Sequence, residues 1–190
     1  MGFSKEELQA ARGRSVPDLV ADGVLLLFVG INPGLWTAAA QAHFARRGNR
    51  FYPALHRAGL SRRLIDASAG MTNADAADLI GRGIGITNIV NRATARADEL
   101  SPAELRLGAA ELEARVAALQ PVVTLILGLT AYRQAFDRPK AVAGWQDEGL
   151  PRTRLMVTGN PSGLNAHESV DSLAERFRQA AIVAGVAAEL

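Results

Sequence analysis

No cysteine occurs among the 190 residues, which excludes a disulfide framework, a thiolate zinc site, an iron–sulfur cluster and a cysteine nucleophile. Long apolar runs are scarce too. The longest, Val24 to Ile31 with Gly30 inside it, is too short to span a bilayer, and no signal-peptide pattern precedes it. Gly2 opens no myristoylation motif, because Glu6 stands where Ser or Thr belongs. These absences lead us to expect a soluble, intracellular protein without a membrane partner, cytoplasmic and, in a bacterium, nucleoid-associated. Familiar site motifs are missing as well. Gly81-x-Gly83-x-Gly85 precedes an apolar run instead of following one, so it cannot cradle a pyrophosphate at a helix N-terminus, and no Gly-Lys-Ser/Thr follows any glycine loop. His43, His56 and His167 are too dispersed for a metal site, and Gly-x-Ser-x-Gly is absent, which disfavours a serine hydrolase.

What is present suits one globular domain over residues 1–190, with 48% apolar and 21% charged residues. Ser4-x-x-Glu7 is a capping box that opens a short helix ending near Gly13, and residues 1–15 form a loosely attached N-terminal piece. Val24 to Ile31, Ile84 to Val90, Val122 to Leu127 and Leu155 to Thr158 read as strands, the continuous apolar ones as strands buried on both faces. Helices are expected over Phe51 to Leu64, Ala74 to Ile80, Thr130 to Phe136 and Val170 to Val183. The clearest helix starts at Ser101-Pro102-Ala103-Glu104 and stops at Pro121. Alternating strands and helices imply a three-layer α/β/α domain with a central, mostly parallel sheet. Ligands in such sheets bind beyond the carboxyl ends of the strands. Three carboxamides, Asn32, Asn88 and Asn160, fall at that edge, where each could also serve merely as a turn residue.

The net charge of +2 conceals an uneven distribution. Between Gly23 and Ile65 there is no acidic residue, yet Arg46, Arg47, Arg50, Arg57, Arg62 and Arg63 lie there; the rest of the chain is at −4. Nineteen of the 21 basic residues are Arg, the side chain that forks onto phosphate, although genome base composition also produces such a bias.

Gly30-Ile-Asn-Pro-Gly-Leu35 and Asn160-Pro-Ser-Gly-Leu164, in this order and about 130 residues apart, with Gly48-Asn-Arg-Phe-Tyr52 and Gly85-Ile-Thr-Asn-Ile-Val90 between them, resemble the signature motifs of the mismatch-specific uracil-DNA glycosylase and thymine-DNA glycosylase family. The resemblance covers most of the chain and implies a uracil-DNA glycosylase-like fold. It also implies a monofunctional glycosylase of base-excision repair, without cofactor or metal. Such an enzyme flips uracil, thymine or another modified pyrimidine opposite guanine and hydrolyses its N-glycosidic bond, leaving an abasic site. The implied partner is double-stranded DNA with a U·G or T·G mismatch, met by a monomer.

Residue by residue, the resemblance makes Asn32 the catalytic group that positions water. It places Ile31, Gly34, His43, Phe44, Asn88 and Asn160 around the base, with Asn160 where the fast relatives carry a histidine and Gly34 where uracil-restricted relatives carry a tyrosine. Ser162, Gly163, Leu164 and Asn165 match the loop that grips phosphates and wedges into the stack. Arg46, Arg47 and Arg50 would meet the backbone; Arg62 and Arg63 read instead as charges at a helix end. Ala166 departs from the pattern, since the family commonly has an arginine there, and this puts strict dependence on guanine in doubt. Two readings stand beside the enzyme: a DNA-binding module of the same fold that has lost catalysis, and a small-molecule hydrolase or nucleotide-binding α/β protein.

Overall fold

In the computed structural model, which describes residues 2–186, the chain forms the strands β1 (Leu26–Gly30), β2 (Ile84–Asn88), β3 (Val123–Leu127), β4 (Gly144–Trp145) and β5 (Arg154–Thr158) of a single sheet in the order β2-β1-β3-β5-β4. β2, β1, β3 and β5 run parallel, and β4 is an antiparallel edge paired with β5. β1, β2 and β3 are buried along their whole length, so β1 reads as an unbroken apolar run instead of an alternating one, while β2 and β3 also bury Thr87, Asn88 and Thr124. Successive side chains point to opposite faces. Leu26, Phe28, Ile86 and Leu125 enter one layer, while Leu27, Val29, Ile126 and Val157 enter the other.

The helices are α1 (Lys5–Ala10), α2 (Leu35–Ala40), α3 (Phe51–Arg57), α4 (Asn73–Gly81), α5 (Pro102–Leu119), α6 (Leu129–Ala135) and α7 (Val170–Ala184). α3, α4 and α7 cover the first face, where Phe28 meets Phe51 and Phe177 edge-on with ring centroids 5.2 Å and 4.9 Å away. α5 and α6 cover the second through Leu105, Leu112, Val116 and Tyr132. The three-layer expectation is met. α1 lies beside α2: Phe3 packs edge-on against Trp36, Ala11 is fully buried, and the Gly13 N–H donates to the Ala93 carbonyl.

Three local expectations need correction. The helix expected over Phe51 to Leu64 stops at Arg57. There Gly59, at φ +79°, turns the chain left-handed, and the Gly59 and Leu60 amides donate back to the carbonyls of His56 and Leu55. This arrangement is a Schellman stop. α2 and the two-residue β4 were not expected at all.

Chain connections leave β1 toward β2 and β3 toward β5, in opposite directions across the sheet. A crevice therefore opens beyond the carboxyl ends of β1 and β3, the topological switch point at which such sheets bind ligands.

Candidate active site

A cavity of about 380 Å³ occupies that crevice. Ile31, Asn32 and Gly34 reach it from the end of β1, Asn88 from β2, Leu127 from β3, and Asn160, Ser162 and Leu164 from the loop after β5. Phe44 and Arg46 close it from the α2–α3 connection, and residues 94–98 form the remaining wall. All three strand-end carboxamides thus meet in one place.

The amide groups of Asn32 and Asn160 are oriented by partners that leave no choice of flip. The Asn32 Nδ2 donates to the Arg92 carbonyl at 2.8 Å, to the Thr94 Oγ1 at 2.8 Å and to the Pro33 carbonyl at 3.3 Å. Carbonyls can only accept, so the amino end is anchored away and Oδ1 is left as an acceptor for the cavity. Asn160 is set the opposite way: its Oδ1 accepts the Ser162 N–H at 2.9 Å, which leaves its NH2 as a donor. The site therefore presents a neutral acceptor and a neutral donor from two strand ends.

Asn88 is buried, and its Nδ2 approaches His43 Nδ1 at 3.3 Å, while His43 Nε2 lies 2.9 Å from the Pro17 carbonyl. That carbonyl requires Nε2–H as the donor, so in the neutral ring Nδ1 accepts from Asn88. Burial lowers the His43 pKa, and this outweighs the opposing influence of the Pro17 carbonyl and the Asp18 charge, so the neutral form is favoured. The Asn88 Oδ1 then lies beside Gly30: a Cβ on that glycine would come within 2.5 Å of it. His43 does not line the cavity; it stands behind Asn88.

Phe44 lines the cavity with φ at +53°, a conformation phenylalanine seldom adopts and that costs of order 1–3 kcal/mol. Its ring is braced by Phe51, stacked at 4.1 Å between centroids. Gly34, by contrast, has an ordinary extended backbone (φ −75°, ψ 166°), and a Cβ there would touch nothing within 4 Å. Turn geometry does not require this glycine; its effect is to leave room. A second cavity of about 220 Å³ shares Gly34, Arg46 and Ala95 with the first.

The loop after β5 protrudes, with Leu164 at 80% exposure its most exposed large apolar side chain. Ala166 and His167 are exposed beyond it. Inside the loop, Ser162 Oγ accepts the Leu164 N–H at 3.3 Å, and Asn165 Nδ2 donates to the Asn160 carbonyl at 2.8 Å. Glu168 clamps its start by accepting the Gly159 N–H and a bond from Thr158 Oγ1.

The acid-free arginine window divides in space. Arg57 pairs with Asp171, Arg62 with Asp78 and Arg63 with Asp75, all carboxylates from outside the window. Arg63, before a Thr72 hydrogen bond, is the main influence holding the Asp75 carboxyl below its usual range. Arg46 stands at the cavity rim. Arg47 is exposed and its charge contributes, after two hydrogen bonds from Ser68, to lowering the Asp66 pKa. Arg50 turns its guanidinium to the carbonyls of Ser162, Gly163 and Asn165.

Sequence reasoning missed the wall at 94–98 and the supports behind the amides. Thr94, buried, accepts from Asn32 and donates to the Arg96 carbonyl at 2.7 Å. Arg115 donates to the Asn88 carbonyl and to Thr87 Oγ1, and it pairs with Asp18 at 3.6 Å. The only signal of these roles was the polar run that follows β2, Asn91-Arg-Ala-Thr94. Among the described residues, no three His, Asp or Glu side chains gather to hold a metal ion, and no helix is long and apolar enough to cross a membrane.

Comparison with known proteins adds two findings. The model of the uracil DNA glycosylase superfamily matches residues 17–182. A solution NMR structure from Methanosarcina acetivorans, of a protein presented as a candidate uracil DNA glycosylase, superposes with a TM-score of 0.59 at 15% identity, covering 88% of this chain and 97% of that one. Such a likeness, at that identity, concerns the fold.

Proposed function

This chain belongs to the uracil DNA glycosylase superfamily, and from that premise we propose that it is a monofunctional, mismatch-directed DNA glycosylase of base-excision repair. It works as a monomer on double-stranded DNA, without a cofactor. Its substrates are uracil, and thymine or other modified pyrimidines, opposite guanine. The observation that carries this reading is the opposed orientation of Asn32 and Asn160 in one cavity at the switch point.

A base inside a duplex is out of reach, so the nucleotide is flipped into the cavity while Leu164 enters the stack it leaves. Phe44, braced by Phe51, offers its ring to the base, an interaction worth about 1–3 kcal/mol. Asn88 has one amide hydrogen engaged by His43, and its Oδ1 suits the N3–H of uracil or thymine, where cytosine has only a lone pair. Cleavage of the glycosidic bond passes through an oxocarbenium-like state, so the attacking water needs placing more than deprotonating. Asn32 Oδ1 is an acceptor suited to hold that water, and it is too weak a base to do more. The departing base gathers negative charge on O2, which the Asn160 NH2 stabilises as a fixed neutral donor. A neutral donor and no general base imply slow turnover. Gly34 leaves room beside the base, which supports acceptance of a 5-methyl group and larger substituents.

The test is to incubate the protein with duplexes carrying a single U·G, U·A or T·G pair and with single-stranded uracil, then cleave with alkali. Abasic product with U·G ahead of U·A supports the reading. Equal cutting of U·G and U·A removes the mismatch preference, binding without product marks a DNA-binding module, and no product from any substrate overturns the enzyme.

A further inference from the structure

A loop that parts stacked bases works best when it is ordered beforehand, because ordering it during binding costs affinity. The turn at 160–165 is ordered only in part by its own side chains, through Asn160, Ser162 and Asn165. The carbonyls of Ser162, Gly163 and Asn165 turn toward α3, and one side chain takes all of them. Arg50 Nη1 donates to the Ser162 and Asn165 carbonyls, both at 2.8 Å, and Nη2 to the Gly163 carbonyl at 3.3 Å. Its backbone N–H also donates to the Pro161 carbonyl at 2.9 Å. The loop sits directly on this stretch of chain, since a Cβ on Gly163 would lie 2.6 Å from the Gly48 carbonyl oxygen. A planar guanidinium can serve several carbonyls at once, which a lysine ammonium does less well. No acidic side chain competes for it: unlike Arg57, Arg62 and Arg63, Arg50 forms none of the ion pairs found among the described residues.

We propose that Arg50 is a positioning residue that fixes the 160–165 turn in the form presenting Leu164, so that the wedge is set before DNA arrives. The proposal rests on the glycosylase reading. It opposes the simpler assignment of Arg50 to a DNA phosphate.

The two differ in what Arg50→Met does. If Arg50 positions the loop, single-turnover release of uracil from a U·G duplex falls about ten-fold, the factor that one hydrogen bond to a charged group supplies. The fluorescence of a 2-aminopurine placed beside the target falls with it. Release from single-stranded uracil, which needs no wedge but still uses Asn160, falls by less than duplex release, and the salt dependence of duplex binding keeps its slope. Arg50→Lys falls between the two. A phosphate contact would instead reduce that slope by about 0.9, and a general loss of fold would lower duplex and single-strand rates together; either result overturns the proposal. Hydrogen exchange of the free protein supplies a readout that does not depend on activity. The amides of residues 162–165 should exchange faster in Arg50→Met than in wild type, while α5 is unchanged. If the wild type cuts no substrate, the glycosylase reading fails, and exchange alone decides whether Arg50 holds the loop. Unchanged exchange at 162–165 refutes that it does.

Discussion

Gly30 is a point of close approach behind the candidate site. A Cβ there would lie 2.5 Å from Asn88 Oδ1 and 3.1 Å from Phe44 Cζ. Both neighbours line the cavity but are braced on the side away from it. Asn88 is buried and held on one side by His43 and on the other by Arg115, which binds its carbonyl at 3.0 Å. Phe44 stacks on Phe51, which is itself fully buried. Gly30→Ala therefore pushes Asn88 or Phe44 off its supports, an overpacking that costs about 1–3 kcal/mol. For a chain of this length each kcal/mol is worth about 2–4 °C, so Tm should fall by roughly 2–12 °C. The rate should suffer more than the stability, because displacing Asn88 or Phe44 by about 1 Å misplaces the base and can cost about a hundred-fold. Thermal melting and single-turnover uracil release measure the two effects. Gly34→Ala is the matched control, since its Cβ meets nothing within 4 Å and its backbone is unstrained. Melting and release unchanged in Gly30→Ala would refute the reasoning, because Asn88 and Phe44 would then yield freely.

Two further outcomes follow from the same geometry. Gly34→Tyr should fold normally and fill the space beside the base, lowering the rate on T·G relative to U·G by about 10–200-fold, the range one methyl group commands in a shaped pocket; an unchanged ratio would show that the methyl does not point toward residue 34. Burial holds the His43 pKa below its ordinary 6.5. The unfolded chain therefore takes up that proton more readily, and the stability His43 contributes is present above about pH 6.5 and lost as the pH falls below it. His43→Gln, which can still donate to Pro17 and accept from Asn88, should flatten the acid side of a plot of Tm against pH, and equal slopes in the two proteins would contradict the neutral ring.

The sheet was legible because strands buried on both faces leave continuous apolar runs, and α5 was legible because its cap, its N1 proline and its terminating Pro121 are all local signals. α2 was not, since Leu35–Ala40 is only six residues long and its N-cap is Gly34, which has no side chain to signal a start. The apolar Leu60 and Leu64 extended α3 on paper, while Gly59 stops it in space. In the site, the three asparagines were legible as strand-end carboxamides. Their orientations were not, because Arg92, Thr94 and His43 reach them from 45 to 62 residues away in the chain. The partners of the acid-free window were hidden for the same reason. A local charge count is blind to Asp75, Asp78 and Asp171, which lie outside the window and neutralise half of its arginines.

The most direct test of the role given to Asn32 is single-turnover release of uracil from a U·G duplex by wild type and Asn32→Ala, with duplex affinity measured in parallel. Wild type should leave an alkali-labile abasic site. Asn32→Ala should bind the duplex about as well and cleave about a hundred-fold more slowly, as expected when a reacting water loses its position. Equal rates in the two proteins would contradict the account.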